Sequence, residues 1–80
     1  MKIYIVIIEA RHTDTDAIPF LTAASAISYA ERTAREYCRH EEDYTESLND
    51  AMKGDGWLWH ATYSCEGDNV RVIERDTDDA

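Results

Sequence analysis

Four side chains that bind transition metals or act as nucleophiles are spread along the chain, namely Cys38, His40, His60 and Cys65. Structural zinc sites normally draw paired ligands from CxxC or HxxxH segments. The spacings Cys38-x-His40 and His60-x4-Cys65 match neither pattern. The favoured interpretation places Cys38 in a helix core and the histidines at the surface. A small metal-binding or enzymatic protein built around these four residues stays open as an alternative.

Other catalytic and ligand-binding patterns are incomplete. Asp14-x-Asp16 and Asp76-x-Asp78-Asp79 resemble parts of a calcium loop, but the glycine at its sixth position and the glutamate at its twelfth are missing. No GxSxG nucleophile motif occurs. Gly54-Asp55-Gly56 places a carboxylate beside the backbone, which is the wrong charge for binding phosphate. We therefore expect no enzyme, no cofactor and no metal.

The distribution of carboxylates is the more informative feature. The 80 residues include seventeen Asp and Glu against eight Lys and Arg, a formal net charge of −9. Residues 1–40 hold five acids and five bases, whereas residues 41–80 hold twelve acids and three bases. A net negative charge disfavours direct binding to nucleic acid. Its confinement to one half of the chain is typical of a surface that faces a partner.

The carboxylates of the second half are suited to a basic protein surface. Duplex DNA carries about one negative charge per 1.7 Å of its axis, so closely spaced carboxylates can imitate its potential in a cleft lined by Lys and Arg. Nearby aromatic side chains would supply the anchoring area that acids cannot. The predicted partner-binding residues are Glu41, Glu42, Asp43, Tyr44, Glu46, Asp50, Asp55, Trp57, Trp59, Glu66 and Asp68.

A folded domain must position these residues, and a chain of 80 residues is long enough for one hydrophobic core. We predict a single domain over residues 1–75 and an acidic tail over residues 76–80. The longest apolar run, Ile3–Ile8, is far shorter than the roughly 20 residues that a membrane helix needs. Together with two unpaired cysteines, this predicts a cytoplasmic protein with reduced thiols.

The first half of the chain predicts a strand, an edge strand and a helix. Residues 2–9 are almost continuously apolar and rich in β-branched side chains, as in a central strand. Residues 17–21 can form only an edge strand because Pro19 has no N–H to donate. Thr22 is a typical helix N-cap, and apolar residues recur at helical spacing from Ala23, which predicts a helix to about residue 42.

The second half predicts a short helical piece over residues 44–53 and a hairpin. Alternation over residues 57–64 indicates a strand with Trp57, Trp59, Ala61 and Tyr63 on one face. A loop of about five residues then leads to a strand over residues 70–75. The fold class is α+β, with a small antiparallel sheet of three to four strands and one long helix on one face, a β(β)αββ two-layer sandwich.

One helix covers only one face of such a sheet, yet the first strand is apolar on both faces. Either the 44–53 segment folds over the second face or that face is an interface with a partner. A homodimer through the sheet face is one form of the second hypothesis.

The layout resembles small proteins of bacteriophages and prophages. The likeness consists of the segments Met1–Ile8, Gly56–Asp68 and Val70–Arg75 around an alanine-rich helix, in a compact acidic chain. Among such proteins it resembles type I-C anti-CRISPR proteins that bind the Cascade surveillance complex. The resemblance implies a protein that blocks target DNA binding by steric and electrostatic competition. The alternative is an acidic phage or host module that binds another basic nucleic-acid-binding protein.

Overall fold

The computed structural model describes residues 1–10, 14–48 and 57–76. Within these ranges the elements are, in chain order, β1 (Lys2–Glu9), β2 (Asp16–Phe20), α1 (Ala23–Tyr37), a 3-10 segment (Glu41–Asp43), β3 (Thr45–Leu48), β4 (Trp59–Thr62) and β5 (Asn69–Asp76). These five strands form one antiparallel sheet in the order β2-β1-β5-β4-β3. The predicted α+β class is confirmed, with five described strands instead of three to four.

The two strands with the most regular apolar sequence lie near the centre of the sheet. β1 pairs along its whole length with β5, from Lys2 opposite Asp76 to Glu9 opposite Asn69. On its other side β1 pairs with β2, which forms an edge of the sheet. The edge position explains why β2 tolerates Pro19, which cannot donate a ladder hydrogen bond.

Helix α1 begins where the sequence predicts and ends earlier. The Thr22 side chain accepts a hydrogen bond from the Ser25 N–H, which confirms the N-cap. The predicted end near residue 42 is wrong, because the last helical residue is Tyr37 and Cys38 is already extended. Continuing the helix would place the acids of residues 41–43 at its negative C-terminal end, which the helix dipole disfavours.

The prediction of a helical piece over residues 44–53 is also wrong where the structure describes it. Residues 45–48 form the edge strand β3, which pairs with β4 through Thr45 opposite Thr62 and Leu48 opposite Trp59. Residues 49–53 lie outside the described residues. Pairing with β4 and the β-branched Thr45 favour the extended conformation of this edge.

The hairpin of β4 and β5 is confirmed, with a loop of six residues (63–68) in place of about five. Gly67 has a φ of 90°, a conformation that suits a residue without a Cβ. β5 is longer than predicted and includes Asp76, whose side chain accepts from the Met1 amino group. Residues 77–80 of the predicted tail lie outside the described residues.

The core lies between α1 and one face of the sheet. Ala26, Ala30 and Ala34 are completely buried on the helix, so the helix approaches the sheet closely. Beneath it lie Val6 and Val72, which are opposite each other on β1 and β5. Burial of such side chains supplies most of the stabilisation of a small domain, at roughly 25 cal/mol per Å² of apolar area.

The other face of the sheet, here called the open face, has no described helix against it. Residues directly opposite each other in antiparallel strands point to the same side. The register therefore places Ile5, Ile7 and Ile73 on the open face, together with Arg71 and its neighbours. The open face consists of the alternate strand residues Ile3, Ile5, Ile7, Glu9, Ala17, Pro19, Thr45, Ser47, His60, Thr62, Asn69, Arg71, Ile73 and Arg75.

Candidate functional site

The topology gathers carboxylates from four segments at one end of the sheet. β3 begins where β4 ends, so the 3-10 segment Glu41–Asp43 lies at the same end as the β4–β5 loop. Glu9 is opposite Asn69 at the start of β5, and Asp16 is opposite Ile8. We call this set the acidic end. Its members are Glu9, Asp14, Asp16, Glu41, Glu42, Asp43, Glu46, Glu66 and Asp68.

Helix α1 also points its C-terminus toward the acidic end. The helix starts beyond Phe20, which is opposite Tyr4 near the start of β1, and ends next to the 3-10 segment. At fifteen residues it spans about 22 Å, most of the length of the sheet. The C-terminus of a helix carries about half a negative charge. The backbone dipole of the helix therefore adds to the negative potential of the carboxylates, whereas Arg35 in its last turn opposes it.

A cluster of three side chains connects this helix end to β3. The Tyr44 hydroxyl donates a 2.7 Å hydrogen bond to Oε2 of Glu46. The Arg35 guanidinium lies 4.5 Å from the centroid of the Tyr44 ring and 3.7 Å from the same carboxylate oxygen. Burial and then the hydrogen bond to Glu46 raise the pKa of Tyr44, so the hydroxyl stays protonated as a donor. This cluster fixes the orientation of Glu46.

The acids of the 3-10 segment have a different environment. Glu41 and Glu42 are exposed and Asp43 is half-buried, and none of the three forms an ion pair with a described residue. An open cavity of about 280 Å³ lies beside them, lined by Arg35, Cys38, Arg39, Glu41 and Tyr44. These three carboxylates are therefore available to cations of another molecule.

The β4–β5 loop is held by short-range hydrogen bonds. Ser64 Oγ donates to Asp68 Oδ2 at 3.0 Å and accepts from the backbone N–H of Glu66 at 3.2 Å. Burial, and then the negative charge of Asp68, raise the pKa of the neighbouring Tyr63. The loop thus presents Glu66 and Asp68 on an ordered backbone at the acidic end.

Glu9, at the end of β1, is the one member of the acidic end that projects onto the open face. It forms an ion pair with Arg71, which also donates to the side chain of Asn69 at 3.4 Å. His60 lies opposite Arg71 in the β4–β5 register. Burial, and then the positive charge of Arg71, lower the pKa of His60 below its ordinary value.

The two tryptophans do not share a face, so the prediction of one aromatic face is wrong. Trp59, with Ala61 and Tyr63, is buried under the helix, and its 5% exposure leaves no surface for a partner. The Trp57 ring lies 5.4 Å from the ring of His60, which is on the open face. The chain leaves the regular strand before Trp59, so alternation does not extend back to Trp57.

The other predicted partner residues do not all lie at the acidic end. Of the predicted aromatic anchors, Tyr44 lies with the carboxylates, whereas Trp57 precedes β4 at the opposite end of the sheet. Asp50 and Asp55 lie outside the described residues. Asp76 is opposite Lys2, an eight-residue strand away from the β4–β5 loop. The described acids near the C-terminus therefore do not belong to the acidic end.

Sequence reasoning missed Glu9, Asp14 and Asp16. These residues come from the half of the chain with no net charge, and only the pairing of β1 with β2 and β5 brings them to the acidic end. The sequence does carry a signal for this arrangement. Turn residues between the two predicted strands indicate a hairpin, which places the end of the first strand beside the start of the second.

The four potential metal ligands are not brought together in the structure. Cys38 follows the helix and its Sγ donates to the His40 carbonyl at 3.1 Å, whereas His60 is on β4 and Cys65 is in the β4–β5 loop. Within the three described ranges, no group of three or more His, Cys, Asp or Glu side chains has the geometry to hold a metal ion.

None of the helices that the structure describes is long and apolar enough to cross a membrane. A comparison of the chain with protein families, with curated proteins and with solved structures finds no match.

Proposed function

We propose that this protein binds a basic, nucleic-acid-binding protein through its acidic end and prevents nucleic acid from occupying the same surface. The partner we propose is the Cascade surveillance complex of a type I CRISPR system, with target DNA as the displaced ligand. The observation that carries the proposal is the convergence of carboxylates from four segments at one end of the sheet.

The arrangement supports competition for a DNA site. Surfaces that bind DNA neutralise several phosphates with Lys and Arg, and those contacts provide most of the non-specific affinity. A folded protein whose carboxylates bind the same Lys and Arg side chains occupies the DNA site without catalysing any reaction. Because such a protein is bulky, it also excludes the duplex sterically.

The acidic end provides rigid and accessible carboxylates. Glu46 is held by Tyr44 and Arg35, and Asp68 is held by Ser64. Rigid groups lose less conformational entropy on binding than mobile ones. The exposed Glu41 and Glu42 add charge that steers the encounter, which makes association fast at low salt.

The experiment measures the affinity for purified Cascade of two variants with the same net charge. The first carries Glu41→Gln, Glu42→Gln and Asp43→Asn in the acidic end. The matched control carries Glu31→Gln, Glu74→Gln and Asp76→Asn, at the middle of the helix and at the opposite end of the sheet. Both change the formal charge from −9 to −6.

Each exposed ion pair contributes roughly 0.5 kcal/mol, so losing three weakens binding by about tenfold. We expect this loss in the acidic-end variant and a change of less than about threefold in the control. Equal losses in both variants would show that only net charge matters, and no loss in either would exclude the acidic end as the contact.

A pull-down from host lysate followed by mass spectrometry tests the partner separately. Recovery of Cascade subunits is the expected outcome. A different basic nucleic-acid-binding protein could be recovered, with binding that the acidic-end variant weakens to the same extent. That result would support binding through the acidic end but would show that the partner is not Cascade.

A further inference from the structure

We infer that two copies of this chain associate through their open faces with their strands antiparallel, so that the two acidic ends lie at opposite ends of the dimer. The inference does not depend on the partner proposed above. It follows from the apolar content, the charges and the size of the open face.

The centre of the open face is apolar. Ile3, Ile5 and Ile7 alternate along β1 and are each half-exposed. Ile73, opposite Ile5 on β5, is buried at 8% exposure, so the accessible part of the patch lies on β1 and β2. Pro19, opposite Ile5 on β2, extends the patch to the edge of the sheet. The helix packs on the other side, and no second described helix covers these residues. Contiguous apolar patches of this kind are typical of protein interfaces.

The charges of the sheet are divided unequally between its two faces. Of the carboxylates in the described strands, those of Asp16, Glu46, Glu74 and Asp76 lie on the helix side by register. The formal charges on the open face are those of Glu9, Arg71 and Arg75, and Glu9 is already paired with Arg71. The open face is therefore the surface on which two copies of a chain of charge −9 meet with the least repulsion.

The order of these charges along the strands selects the antiparallel arrangement. Arg75 is opposite Ile3 at one end of the open face, and Glu9 is opposite Asn69 at the other. If the two sheets stack with antiparallel strands, Arg75 of each copy faces Glu9 of the partner subunit. Parallel strands would instead bring the two acidic ends together. Both the attraction and the repulsion favour the antiparallel dimer.

The area of the open face suits a weak dimer. Its strands are four to eight residues long and about 4.8 Å apart, so together they cover on the order of 450 Å² before side-chain relief is counted. Standard interfaces bury about 800 Å² per partner. Packed sheets of this kind lie about 10 Å apart.

The first experiment is the mass in solution, measured by light scattering and sedimentation at high micromolar concentration. We expect twice the 9.2 kDa of the chain. The variant Arg75→Glu removes the pairing with Glu9 of the partner subunit and should raise the dimer dissociation constant at least tenfold. Arg75 is exposed, so the variant should fold. The matched control Arg32→Glu makes the same charge change on the exposed side of the helix and should raise it less than about threefold.

A monomeric wild-type chain would overturn the inference, whatever the behaviour of the variants. A dimer that responds equally to Arg75→Glu and Arg32→Glu would also contradict it, because the open face would then have no special role. A variant Ile7→Glu that remains dimeric at wild-type affinity would exclude the apolar patch as the contact.

The second experiment measures the arrangement of the strands. Cys65 is exposed in the β4–β5 loop, and with Cys38→Ala it becomes a single site for a spin label. Since an eight-residue strand spans about 26 Å, antiparallel stacking places the two labels more than about 30 Å apart. Parallel stacking would bring them within about 20 Å, and that result would overturn the antiparallel arrangement.

Discussion

Tyr44 holds Glu46 in place through a 2.7 Å hydrogen bond from its hydroxyl to the carboxylate. The two residues lie on either side of Thr45 at the start of β3, and Arg35 of the helix contacts both. This contact connects the helix end with the edge strand and orients one carboxylate of the acidic end. A residue proposed as an aromatic anchor for a partner thus also has a positioning role within the chain.

Replacing Tyr44 by phenylalanine removes this hydrogen bond and keeps the ring over Arg35. The free energy of unfolding should fall by about 0.5–1 kcal/mol, because the site is partly exposed to water. Urea denaturation at neutral pH measures the change. An unchanged free energy of unfolding would show that the hydrogen bond contributes nothing net to stability.

The same variant should alter stability at alkaline pH. Burial, and then Glu46, raise the pKa of Tyr44 above its ordinary value of 10.0, so the folded state binds the proton more tightly than the unfolded state. The resulting stabilisation is complete below pH 10 and is lost as the pH rises above it. Wild-type protein should therefore lose more stability than Tyr44→Phe between about pH 10 and pH 12. Parallel curves for the two proteins would contradict this assignment.

Trp59 and Trp57 should differ in their effects on stability. Trp59 is 5% exposed in the core under the helix, so Trp59→Ala should cost about 3–5 kcal/mol. That cost is a large part of the stability of a domain of this size. Trp57 is only half-buried beside His60, and Trp57→Ala should cost less than about 2 kcal/mol. Thermal denaturation followed by circular dichroism compares the two, and equal costs would contradict their placement on different faces.

His60 should make the stability depend on pH near neutrality. Burial, and then Arg71, lower the pKa of His60 below its ordinary value of 6.5, while Glu9 opposes this shift. The unfolded chain therefore takes up a proton at higher pH than the folded chain, and stability falls as the pH drops below 6.5. The variant His60→Gln should flatten this dependence. Urea denaturation between pH 7 and pH 5 measures the slope for the wild-type chain and the variant, and equal slopes would contradict the assignment to His60.

The parts of the fold that the sequence predicts are those with a local physical signal. The continuous apolar run of β1, the Thr22 cap and the alanine spacing of α1 each depend on neighbouring residues, and each is confirmed. The assignment of residues 44–48 fails because a four-residue edge strand gains its stability from pairing with β4, which no local pattern reveals.

In the candidate site, too, the sequence predicts only the features that depend on neighbouring residues. The sequence identifies Glu41, Glu42 and Asp43 because they are consecutive. It does not place Glu9 or Asp16 at the same end of the sheet, because only the strand pairing shows this. Trp59 was misplaced as a surface anchor, since alternation shows which residues share a face and does not show which face the helix covers.

The most direct test of the central claim is the binding of Cascade to labelled target DNA, measured by fluorescence anisotropy in the presence of increasing amounts of this protein. We expect DNA binding to be lost at near-stoichiometric amounts of the wild-type chain. The variant with Glu41→Gln, Glu42→Gln and Asp43→Asn should require about tenfold more protein for the same loss. DNA binding that is unaffected by excess wild-type protein would contradict the proposed inhibition of Cascade.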